Sequence, residues 1–288
     1  LGEAKGELAR VTEADVREAF PRRRRNSHKG VYGHLLLVAG SFGMAGAAAL
    51  AANAALRFGC GLVSVACPRS IVPILQTLAP CAMCLPLEEQ DGALSEAALP
   101  ALRAALSGKS AVAIGPGLSR RAAPRLLEEV LTSGLPAVID ADALNLLSAS
   151  GALRSLLAPR HLITPHPGEA ARLLPGLSGD PVERAKRLRE LGAAALYKGA
   201  VTVIAGESGC CLTTSGCSGM AKGGSGDVLT GMAGALLAQG VPAETAGWLA
   251  SEVHGLAGEA AERRKGPYAM TALDQIDALC EVTQALLS

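Results

Sequence analysis

The chain has 288 residues, of which 49% are apolar, 18% charged and 2% aromatic, with 34 glycines and a formal net charge of +1. That balance excludes a disordered chain, and near-neutrality leaves no global field to draw nucleic acid or an anionic membrane. So few rings argue against a base-stacking platform, and no apolar run reaches the ~18 residues of a membrane helix, so a cytoplasmic globular protein without nucleic-acid or membrane partners is expected.

Residues 1–28 are charged, with an unbroken basic run from Arg22 to Arg25, and read as a solvated linker or extension. Val11 to Phe20 fits a short helix closed by Pro21. Order is expected from residue 29, and 29–288 reads as one domain. His34 to Ala39 is an apolar run bounded by glycines, the pattern of a buried parallel strand. A glycine-rich turn (Gly40, Gly43, Gly46) follows, then an alanine-rich helix over Ala47 to Phe58 and a strand over Leu62 to Ala66. Strand, glycine turn, helix and strand make one βαβ unit. The turn lacks both the dinucleotide and the Walker spacings.

The pattern recurs. Strands are expected at Ala111 to Ile114, Ala137 to Asp140, Leu162 to Thr164 and Val201 to Ala205, with a hairpin partner at Cys211 to Thr214. Helices are expected at Pro124 to Leu131, Pro181 to Leu191, Val228 to Gln239, Ala243 to Arg264 and Leu273 to Leu287. Polar and glycine tips follow the apolar strands: Gly115-Pro116-Gly117-Leu118, Asp140-Ala141-Asp142 with Asn145, and Thr164-Pro165-His166-Pro167-Gly168-Glu169. In an open α/β fold such tips share the carboxyl edge of the sheet, where ligands bind. The eight cysteines are irregularly spaced and read as buried free thiols; the one C-x-x-C, Cys81 to Cys84, lacks a second pair.

The stretch Gly223-Gly224-Ser225-Gly226-Asp227 opens the helix from Val228. Its backbone N–H groups converge as an anion cradle. Asp227 stands where loop becomes helix, and residue chemistry alone supports two roles equally. It is either a helix N-cap, or a base that takes a proton from a hydroxyl while a phosphoryl group moves onto it.

The set comprising Lys29-Gly30, Gly46-Ala47, Gly115 to Leu118, Asp140 to Asn145, Thr164 to Glu169, Lys198-Gly199-Ala200 and Gly223 to Asp227 resembles the ADP/ATP-dependent NAD(P)H-hydrate dehydratases. The order is right and the span runs from about residue 29 to 275. Thr164 to Glu169 and Gly223 to Asp227 are the most specific pieces. The resemblance implies a ribokinase-like three-layer α/β sandwich with a mostly parallel central sheet flanked by helices. It implies phosphorylation of the ring hydroxyl of the S-epimer of hydrated NADH or NADPH by ADP or ATP, then loss of phosphate. Asp227 would be the base, and Gly224, Ser225 and Gly226 the phosphoryl cradle. Gly46, Ala47, Gly117, Asn145, His166 and Asp227 would face the hydrated cofactor. Lys198, Gly199, Ala200, Val201, Thr202 and Gly226 would face the adenine nucleotide, and Glu169 would reach Mg²⁺ through water. Related thiazole and pyrimidine kinases usually carry Asn where this chain has His166. Ser119 stands where the family often has glycine, and Ser225 where it commonly has threonine. Family analogy also implies a homotetramer and an NAD(P)H-hydrate epimerase as partner or fused domain, for which the basic lead-in would serve as linker. Two other readings stay in view: a kinase of a small alcohol such as a hydroxyethylthiazole or hydroxymethylpyrimidine, and a non-catalytic nucleotide-binding sensor.

Overall fold

A computed structural model describes residues 8–287. The described residues open with a two-residue strand, β1 (Ala9–Arg10), and a helix, α1 (Glu13–Ala19), capped reciprocally by Thr12 and Asp15. Then come β2 (His34–Val38), α2 (Ala45–Arg57), β3 (Leu62–Pro68), α3 (Val72–Leu78) and β4 (Met83–Leu87). A two-strand ribbon, β5 (Glu89–Gln90) and β6 (Ala93–Leu94), leads into α4 (Leu99–Leu106) and β7 (Ala111–Ile114). Next are α5 (Pro124–Thr132), β8 (Ala137–Ile139), α6 (Ala141–Ala149), α7 (Gly151–Arg154), β9 (His161–Ile163) and α8 (Pro167–Leu173). The last part holds α9 (Pro181–Arg189), β10 (Ala194–Tyr197), β11 (Thr202–Gly206), β12 (Gly209–Thr213), α10 (Ser225–Ala238), α11 (Ala243–Ala269) and α12 (Ala272–Leu287).

The main sheet runs β1-β12-β11-β10-β9-β8-β7-β2-β3-β4. From β4 to β10 every pairing is parallel; β11 alone runs against its neighbours. Helices cover both faces, so the parallel strands are mostly apolar, with His34, Ser64 and His161 as exceptions. Leu35 and Leu37 of β2 join the core shared with α2, α10, α11 and α12, while Leu36 and Val38 join the core under α4, α5 and α6. From β2 the chain winds outward to β3 and β4, then returns to β7 on the other side and winds the opposite way. That reversal opens a crevice at the carboxyl ends of β2 and β7. The two tips are tied together there: Gly40 N–H donates to Pro116 O at 2.8 Å, and Ser41 Oγ to Gly117 O at 2.8 Å.

Two features differ from expectation. The lead-in docks onto the domain over residues 9–20, while residues 22–28 are exposed. β1 extends the sheet beside β12, Val16 is fully buried, and Phe20 packs edge-on against Phe58 at 5.3 Å. The arginine run is also engaged: Arg23 lies 4.1 Å over the Tyr32 ring and donates to Gly59 O at 2.6 Å. Second, the strand expected at Val201 to Ala205 is the return arm of a hairpin whose first arm, β10, carried no expectation. All eight cysteines are free, with Cys60, Cys67 and Cys211 buried but Cys81 and Cys280 exposed, against the expectation of burial for all.

Candidate active site

α10 and α2 pack closely because small residues face each other. A Cβ on Gly231 would run into the Ala51 carbonyl oxygen, and one on Gly234 would press on Leu35. Both helices therefore start at the same sheet edge, and their N-termini present unpaired N–H groups to the crevice. The N-cap of α10 is Gly224, at φ +99°, where a Cβ would sit 2.8 Å from Leu50 and 2.9 Å from Ala272. Glycine is thus required there by conformation and by space. Asp227 is the third residue of the helix and does not cap it, which removes the capping role.

Behind the loop lies a buried ion pair. Asp140, at the end of β8 and 2% exposed, accepts from Lys198 Nζ at 2.8 Å, Thr164 Oγ1 at 2.8 Å and Thr230 Oγ1 at 2.6 Å. Burial alone would raise its pKa, but the Lys198 charge and these donors outweigh it and hold the carboxyl below its ordinary value. For Lys198, burial would lower the pKa, and the Asp140 and Glu169 carboxylates reverse that. Lys198 Nζ is also 3.9 Å from Glu169 Oε2 and would lie 3.6 Å from a Cβ on Gly226. Asp227 is pushed up to about 7, first by burial and then by the negative charge of Asp140, with Lys198 opposing.

His166 caps α8. Its Nδ1 accepts from Gly168 N–H at 3.0 Å, so the ring's proton is on Nε2, 3.5 Å from Glu169 Oε1. Glu169 completes the cap by accepting from His166 N–H at 2.9 Å. Its Oε1 thus faces a neutral imidazole N–H and its Oε2 the Lys198 ammonium, and burial pushes its carboxyl up. Among the described residues no cluster of three or more His, Cys, Asp or Glu could hold a metal. Glu169 suits capping and pairing with Lys198; it does not suit direct metal ligation.

A cavity of about 990 Å³ is lined by His166, Lys198, Gly199, Ala200, Thr202 and Gly226, together with Ser215 to Ser218, Met220 to Gly223, Ser225 and His254. Val201 is not on its wall and is 42% exposed. Asp227, Gly224 and Glu169 are not on that wall, nor are Gly46 and Ala47 of α2, Gly117 or Asn145 of α6. Gly117, at φ +59°, backs directly onto Met44 and Ala47. Asn145 is largely committed, accepting from Arg172 Nε at 2.9 Å and donating to Asp142 at 3.2 Å. Asp142 also accepts the Ser119 N–H at 2.9 Å, and its charge helps raise Asp227. Ser119 (φ +74°) and Ala141 (φ +49°) hold left-handed backbone on this rim, strain of the kind found at working sites. Thr230, His254 and Gln275 carried no expectation, and Asp140 carried one only as part of a polar strand tip, with no role of its own. The only available signal was polar residues at inward positions of apolar helices and at a strand end.

The family model for NAD(P)H-hydrate dehydratase matches residues 35–281. The "Bifunctional NAD(P)H-hydrate repair enzyme Nnr" of Moorella thermoacetica is 44% identical over 290 residues, covering 96% of this chain and 54% of that protein. The "ADP-dependent (S)-NAD(P)H-hydrate dehydratase" of Neisseria meningitidis serogroup B is 37% identical over 257 residues, 86% of this chain and 83% of that protein. The crystal structure of the ADP/ATP-dependent NAD(P)H-hydrate dehydratase of Bacillus subtilis, grown with ATP/Mg²⁺, superposes with a TM-score of 0.81 at 30% identity, covering 98% and 99% of the two chains. The chain spans about half the length of the bifunctional relatives it matches.

Proposed function

The chain belongs to the NAD(P)H-hydrate dehydratase family, and from that premise we propose that it restores NADH or NADPH from the S-epimer of the hydrated cofactor, using ADP or ATP as phosphoryl donor. The observation that carries this reading is Asp227. Its carboxyl is raised to about 7 in the third position of a helix whose N-terminus faces the Lys198–Asp140 pair. A base with that pKa takes a proton near neutrality.

In this reading Asp227 removes the proton of the ring hydroxyl as its oxygen attacks the terminal phosphorus of the nucleotide. The N–H groups of Gly224, Ser225 and Gly226, with the Lys198 ammonium, take the charge building on the phosphoryl oxygens. From ADP the leaving group is AMP. Hydroxide leaves poorly and phosphate leaves well, so the ring nitrogen's lone pair then expels inorganic phosphate. Loss of a proton from the adjacent carbon restores the dihydronicotinamide. His166, Gly46, Ala47, Gly117 and Asn145 are assigned to the hydrated cofactor, and Lys198 to Thr202 with Gly226 to the adenine nucleotide. Mg²⁺, if bound with the nucleotide, would neutralise its phosphate charge, and Glu169 would reach it only through water.

Residues 29–288 are taken as one catalytic unit braced by β1 and α1, in a cytoplasmic homotetramer supplied with S-epimer by an epimerase, fused or separate. No described helix is long and apolar enough to cross a membrane. The test is a nucleotide panel with hydrated NADH, following the absorbance of the reduced ring. Recovery with ADP or ATP and release of inorganic phosphate is expected; no recovery with any nucleotide overturns the reading. A stable phosphorylated alcohol as product would instead establish the kinase alternative.

A further inference from the structure

The glycine-rich loop is fastened to the C-terminal helices by a hydrogen-bond chain whose direction is fixed. Ser225 Oγ lies 2.8 Å from Met220 O, and a carbonyl oxygen only accepts, so the hydroxyl spends its single proton there. Gln275 Nε2, 2.8 Å from the same Oγ, must then be the donor, which leaves Gln275 Oε1 as acceptor. His254 Nε2, 2.8 Å from Oε1, must carry the proton. Burial pushes the His254 pKa down to about 4, so the ring is neutral and held as one tautomer.

Gln275 is fully buried and His254 is 6% exposed, on α12 and α11. An apolar pair would fill the same seam without desolvating four polar atoms. His254, Ser225, Gly226 and Lys198 all line the one cavity. Ser225 is the first residue of α10, immediately before Gly226 and two before Asp227. A second anchor stands just upstream: Lys222 Nζ donates to the carbonyls of Pro267, Tyr268 and Met270 at 3.0, 2.7 and 2.7 Å.

We propose that His254 and Gln275 are positioning residues that set the phosphoryl cradle by holding Ser225, so that the last helix of the chain fixes where the transferred group sits. The inference rests on reading Gly224 to Asp227 as that cradle, and it brings in two residues from outside the glycine-rich motif. A cradle displaced by a fraction of an ångström loses transition-state contacts while the hydrated cofactor still binds.

The experiment compares Gln275→Leu, Ser225→Ala and the double variant, with Gln275→Glu as a near-isosteric substitute should the leucine variant not fold. Glutamate can accept from His254 but cannot donate to Ser225. Each single change is expected to lower kcat by about 10- to 100-fold with the KM for hydrated NADH within about two-fold. The double variant is expected to be no slower than the slower single, because both cut one chain. A folded Gln275 variant with wild-type kcat, or penalties that multiply, overturns the proposal. Absence of turnover in the wild-type protein would instead sink the dehydratase reading. The loop is then followed by calorimetry with ADP, where a weakening of about ten-fold in Gln275→Leu sustains the positioning role and an unchanged Kd ends it.

Discussion

At the scale of single residues, Asp227 gives the sharpest expectations. Asp227→Asn keeps shape and removes the base, so turnover should fall by roughly 10²–10⁴, measured on hydrated NADH at saturating ADP. Because the folded carboxyl titrates near 7 and must be ionised to act, kcat/KM should rise with pH up to about 7 and then level off. A profile flat across that range would remove Asp227 as the base. Stability runs the other way. Between the ordinary value of 3.8 and about 7 the folded protein holds a proton that the unfolded chain has lost, so this group's contribution declines as pH rises. Asp227→Asn should therefore melt higher than wild type at about pH 8, the difference vanishing in acid. Asp140 carries the opposite sign: its depressed pKa contributes stability above the ordinary carboxylate range, lost on acidification. Asp140→Ala would strand the Lys198 ammonium and should cost about 3–5 kcal/mol in denaturant unfolding. Asp227 was visible in sequence because glycines announce it. The partnership of Asp140 was not, since Lys198 lies 58 residues away and Thr230 90.

At the scale of elements, the α2–α10 pairing explains the alanines and glycines that composition only counts. Gly231→Val would force the helices apart and should lower stability by about 1–3 kcal/mol or more, with activity lost alongside; unaltered melting would mean that the seam is loose. Helices bracketed by glycine or proline, and long apolar strands, were legible because their boundaries are chemical. The region between Arg69 and Leu106 was not, since its helices and strands are short and carry weak periodicity. β10 escaped for the same reason. The turn from Lys198 to Val201 reads alike whether the next strand runs with or against its neighbour, so the antiparallel return of β11 is a tertiary fact. The α12 anchor was hidden differently: Gln275 sits in a helix whose other inward residues are apolar, and only its partners reveal its purpose.

At the scale of the molecule, the parallel α/β layering was readable from the alternation of strands and helices and its ribokinase-like form from the resemblance, but the way residues 9–20 lock onto it was not. Charge over residues 8–28 suggested solvent exposure, while Val11, Val16 and Phe20 carry the contacts. Phe20→Ala should cost about 3–5 kcal/mol, as expected of a core ring and not of a tether; a shift below about 0.5 kcal/mol would restore the linker view. The bearing between α2 and α10 has a broader consequence. Where Gly231 meets Ala51, peptide unit rests on peptide unit, so the helices are already as close as backbone allows and a side chain at 231 can only push them apart. Selection for a different guest, or a designer seeking one, has no dial at that joint, and new substrate tolerance must come from the ribbons and loops around the rim.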